Sequence, residues 1–125
     1  MRLILALLMA AGVLLAGCTG ASQPPSSPPP STGGQLKEFT VEASQWQFSP
    51  STITVNQGDK VKITLVSKDV AHGFALLDFG FSLNAGAGKT ASGEFTADKP
   101  GSYAFSCNVP CGEGHRDMKG TLVVK

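Results

Sequence analysis

The sequence predicts an all-β protein, a small antiparallel sandwich or barrel built from short strands in residues 36–125. Three observations carry that expectation. Val61, Ile63 and Leu65 alternate with Lys60, Lys62 and Thr64, the period-two pattern of a strand with one buried face. Turn-forming clusters recur between apolar runs, at 49–52, 56–59, 84–89 and 98–101, each with Gly or Pro where a tight turn uses it. No stretch after residue 17 repeats apolar side chains at helical spacing.

Taken in order, residues 1–17 read as a secretory signal. Arg2 supplies the positive charge, LILALLMAAGVLL the apolar stretch, and small residues precede Cys18. That stretch is too short to span a bilayer. The segment LAGC, Leu15–Cys18, resembles the lipobox of bacterial lipoproteins. The resemblance implies that Cys18 is lipidated and that the protein is extracytoplasmic, anchored to the bacterial cell membrane by lipid. The plainer alternative is an ordinary signal peptide that contains a cysteine.

Residues 18–35 follow as the lipidated cysteine and a tether. TGASQPPSSPPPSTGG has no apolar periodicity, and its proline cluster favours extended polyproline II. At about 3.1 Å per residue, such a segment reaches roughly 50 Å from its anchor.

From Leu36 the texture changes to β-like runs: EFTVEA, STITV, DKVKITLVS, SYAFSC and GTLVVK. Many short strands in so short a stretch bury a modest share of the surface, so a cross-link such as a bound metal adds stability. Trp46 and Phe48 are expected in the core, although an exposed Trp46 near a metal would offer a path for electrons. The formal net charge is +1, with Arg2 in the segment read as cleaved, which leaves the rest near neutral and argues against nucleic acid as a partner.

The chemistry concentrates in CNVPCGEGHRDM, where the spacing is Cys107-x3-Cys111-x3-His115-x2-Met118. No other cysteine or methionine follows Cys18, and His72, in DVAHGF, is the one remaining histidine. Gly73, Gly112, Gly114 and Gly120 flank these residues. One thiolate, two imidazoles and a weak thioether form a set that selects copper for electron transfer. The second cysteine leaves choices open: Cys107 is spare, or paired with Cys111 in a disulfide, or itself a ligand, in which case two thiolates can bridge two copper ions. A structural zinc site using both cysteines and both histidines fits the same donors but has no use for Met118. Met118 also reads as core filler.

The loop resembles the binuclear copper (CuA) loop of cytochrome c oxidase subunit II, with the same Cys-x3-Cys-x3-His-x2-Met spacing, and DVAHGF resembles that family's upstream histidine segment. The likeness runs from QWQFSPSTITVNQGDKV through ADKPGSYAFSC to MKGTLVVK. It implies a cupredoxin-like Greek-key β-sandwich or barrel. It also implies two copper ions bridged by Cys107 and Cys111, with His72 and His115 each on one metal, Met118 axial, and the backbone carbonyl of Val109 completing the second. A mononuclear site would hold one ion. Val109 departs from the family's usual Glu or Gln, and a lipobox with a tether stands where the family carries membrane helices.

The resemblance implies a single-electron carrier, not an enzyme on its own, that works with a redox partner such as cytochrome c or a membrane oxidase or reductase. The alternative is a periplasmic copper chaperone delivering Cu(I) for oxidase or reductase assembly.

Overall fold

The computed structural model describes residues 34–125; the signal sequence, Cys18 and the tether as far as Gly33 lie outside them. Nine strands follow one another within the described residues: β1 (Leu36–Ser44), β2 (Gln47–Ser49), β3 (Thr52–Val55), β4 (Lys60–Ser67), β5 (His72–Leu76), β6 (Phe81–Ala85), β7 (Thr90–Thr96), β8 (Gly101–Ser106) and β9 (Lys119–Val124). Among the described residues the helical elements are two three-residue 3-10 turns, Leu77–Phe79 and His115–Asp117.

The strands form two sheets, ordered β2-β1-β4-β7 and β3-β9-β8-β5-β6. Alternation explains which side chains enter the core between them. In β4, Val61, Ile63 and Leu65 are buried, while Lys60, Lys62 and Thr64 point outward, where Lys62 meets Glu38 at 2.9 Å. Burying each such aliphatic side chain favours folding by about 1.5–3 kcal/mol. An aromatic centre joins the layers: Phe74 of β5 stacks on Phe105 of β8 at 4.5 Å, and Phe48 of β2 meets Phe105 edge-on at 5.3 Å. These rings stiffen the two strands whose ends carry His72 and Cys107.

The two-sheet architecture agrees with the sequence, but the pairing is mixed and not purely antiparallel. β1 runs parallel to β4, and β3 runs parallel to β9. The chain changes sheet between β2 and β3 and returns at β4, so β1 and β4 run side by side in one direction. Four strands escaped the alternation pattern. β5 is buried at all five positions, so it has no polar face to alternate with, and β7 carries Gly93 in its middle.

Strand direction places the two ends of the sandwich. The chain arrives at Gln35, whose N–H donates to Asp59 Oδ1 at 3.2 Å, beside the start of β4. Lys125, after β9, is bound to Val55 and Gln57 at that same pole. The end of β1, the start of β5 and the β8–β9 loop lie at the opposite pole, where the donor residues gather.

Candidate metal centre

The loop from Cys107 to Met118 joins β8 to β9, and its ends are closed by the Cys107 N–H donating to the Met118 carbonyl at 3.1 Å. Within it a 3-10 turn, held by Asp117 N–H on the Gly114 carbonyl, brings His115 and Met118 back towards Cys111. Gly112 adopts φ 126°, a backbone state that side chains resist. At Gly114 the constraint is space: a Cβ there would lie 2.5 Å from the Trp46 ring.

Cys111 is the hub of the cluster. Its Sγ lies 3.6 Å from Cys107 Sγ, 3.6 Å from His115 Nδ1 and 3.8 Å from Met118 Sδ. Cys107, Cys111 and Met118 are buried, and both thiols are free. Met118 therefore fills the core and presents its sulfur to Cys111 at once. The Cys107 thiol donates to the Val109 carbonyl at 3.1 Å and accepts from the Gly73 N–H at 3.4 Å.

His72 reaches the cluster from the start of β5, and one of its ring nitrogens lies within 4.8 Å of both sulfurs. Nε2 is held by Asp69 Oδ1 at 2.6 Å. Nδ1 is fully buried and has no hydrogen-bond partner. A buried, unpartnered imidazole nitrogen beside two thiols is costly unless something takes its lone pair, and a soft metal ion does so. The residues therefore fit the copper that the sequence implies.

The electrostatics agree with a site built for a cation. Burial, then the neighbouring Cys107, pushes the Cys111 thiol up to about 11, so the metal-free protein keeps that proton. A bound cation is what makes the thiolate favourable here. For Asp69, desolvation pushes its carboxyl up, but hydrogen bonds from Gln45 N–H, His72 and Val70 N–H outweigh it and hold it below the usual range.

All the residues expected at the site, His72, Cys107, Val109, Cys111, His115 and Met118, come together at one pole. Cys18 lies outside the described residues. Trp46 differs from expectation: it is 41% exposed, and its indole N–H donates to the Cys111 carbonyl at 3.3 Å. The glycines of the loop give it a flat seat there that the core does not. Phe48 is buried as expected. Two residues escaped the sequence reading. Asp69 carried a signal, an acid three residues before a candidate ligand histidine; Gln45 carried none.

Two sheets with a buried cluster of sulfur and imidazole donors at one pole define a copper-binding β-sandwich. Residues 7–124 match the Cupredoxin-like domain family. Over 94 residues the chain is 34% identical to cytochrome c oxidase subunit 2 of Thermus thermophilus, an alignment covering 75% of this chain and 70% of that one. It is 35% identical over 82 residues to the nitrous-oxide reductase of Stutzerimonas stutzeri, covering 62% of this chain and 13% of the reductase. Among solved structures, a heme-copper terminal oxidase dimer contains a chain of similar fold, with TM-score 0.65, 29% identity and coverage of 77% of this chain and 73% of that one. The chain belongs to the cupredoxin-like domain family, and its domain is of the CuA type.

Proposed function

We propose that this chain is an extracytoplasmic, lipid-anchored carrier of single electrons, with a binuclear copper centre held by His72, Cys107, Cys111, His115, Met118 and the Val109 carbonyl. The observation that carries it is the position of Cys107. Its sulfur lies 3.6 Å from Cys111 Sγ, bonded to the Val109 carbonyl and the Gly73 N–H, which supports a reading in which both thiolates would hold the metal.

Copper in such a centre accepts and returns one electron. The protein's part is to keep the donors still. β5 and β8, locked by the Phe74–Phe105 stack, fix His72 and Cys107, and the Cys107–Met118 bond closes the loop. Burial of both sulfurs excludes water and favours retention of the metal over its delivery, so the carrier reading is preferred to the Cu(I) chaperone. The donors already committed to metal supply no acid, base or nucleophile for a reaction of the domain's own.

Trp46 and Val70 are exposed apolar residues beside the cluster, and they suit docking of a redox partner such as cytochrome c or a membrane oxidase or reductase. The similarity to oxidase subunit 2 supports that choice of partner. Since the chain arrives at the pole opposite the metal, a tether from lipidated Cys18 would leave the copper end free to face a partner.

The test is copper loading of two variants. Cys107→Ser is expected to hold at most one copper per chain, whereas Met118→Leu keeps two and shifts the reduction potential. Full two-copper loading of Cys107→Ser would rule out a bridging role for Cys107.

A further inference from the structure

Resting on the copper site proposed for these residues, we infer that Gln45 is a positioning residue of the metal centre, its side chain fixing Cys111 from a point in the chain whose backbone also holds the carboxylate beside His72. Its backbone N–H donates to Asp69 Oδ2 at 2.8 Å, and Asp69 Oδ1 holds Nε2 of His72 at 2.6 Å. Its side-chain amide donates to the Cys111 carbonyl at 2.9 Å. The Trp46 indole N–H reaches that same oxygen at 3.3 Å, so both lone pairs of one carbonyl are engaged.

The arrangement matters because Cys111 is the hub. The bonds from Cys107 to Met118, from His115 to Gly112 and from Asp117 to Gly114 run within the loop itself and fix its shape. Where it sits is set from outside, by the Gly73 N–H on Cys107 Sγ and by Gln45 with Trp46 on the Cys111 carbonyl. Of these, Gln45 also holds the carboxylate that orients His72.

Gln45 is itself exposed, so truncating it opens no cavity in the core. A positioning role is thus separable from a merely structural one. The experiment uses the full chain as wild type, Gln45→Ala, Gln45→Glu and the control Gln47→Ala, an exposed neighbour in β2. Each is loaded with copper, and loss of copper to a chelator, reduction potential and the thermal midpoint of the metal-free protein are measured.

Gln45→Ala is expected to lose copper about 10-fold faster than wild type. Gln45→Glu should lose it at least as fast, since its carboxylate has no proton to donate to the Cys111 carbonyl. Both should shift the potential, with metal-free midpoints close to wild type and Gln47→Ala unchanged throughout. If both Gln45 variants keep wild-type copper retention and potential, or if their metal-free midpoints collapse, the positioning role is overturned while the copper site stands. If wild type itself takes up no copper, the site assignment fails and this role fails with it.

Discussion

Asp69 Oδ1 lies 2.6 Å from Nε2 of His72, which leaves Nδ1 as the one buried side-chain nitrogen or oxygen without a partner among the described residues. The carboxylate fixes the ring's orientation and makes the imidazole a stronger electron donor to a metal. Asp69→Asn preserves the shape and an acceptor but removes the charge. Copper affinity is expected to fall about 10-fold, with a rise in reduction potential, because the more electron-rich imidazole favours the oxidised metal. Chelator competition and voltammetry check it.

Gly114 lies under Trp46, and a Cβ there would meet the ring at 2.5 Å, well inside van der Waals contact. Its φ of −84° suits any residue, so the cost of Gly114→Ala is steric alone. We expect a loss of about 1–3 kcal/mol as the indole is displaced, measured by denaturant unfolding of the metal-free protein. Loss of the Trp46 bond to Cys111 should accompany it, seen as a change in indole fluorescence.

The Phe74–Phe105 stack sits between the sheets beneath the site. Phe105→Ala is expected to cost about 3–5 kcal/mol, from lost burial and the cavity left behind. Copper uptake should fall with it, since the stack holds the two strands that carry His72 and Cys107.

The Cys111 thiol gives the metal-free protein a pH dependence of definite sign. Its ordinary value is 9.0, and burial and Cys107 raise it to about 11 in the folded state. Below pH 9 both folded and unfolded chains hold the proton. Between pH 9 and about 11 the unfolded chain releases it while the folded one retains it, so stability falls as pH rises. Unfolding curves under reducing conditions should show this loss, and Cys111→Ser should flatten it. The copper-loaded protein, whose thiolate is already formed, should lack it.

How much of this was legible in the sequence follows from where the signal lies. β4 announced itself because one face meets water and the other the core. β5 did not, since both its faces are covered and its residues show no alternation. The parallel neighbours β1 and β4 depend on a change of sheet that no local pattern encodes. The donor set was readable because soft donors are scarce and clustered, so their spacing stands out. Trp46 was misplaced for the opposite reason: a large aromatic is ordinarily core, and its seat on Gly112 and Gly114 exists only once the loop has closed. Gln45 acts through one N–H and one amide, groups that any glutamine carries, so nothing in its neighbours marked it.

The most direct measurement is copper stoichiometry with electron paramagnetic resonance on the full chain, reconstituted with Cu(II) while the thiols are kept reduced. Two coppers per chain sharing one unpaired electron is the expected result. One copper per chain, with its unpaired electron confined to a single ion, would contradict the binuclear centre.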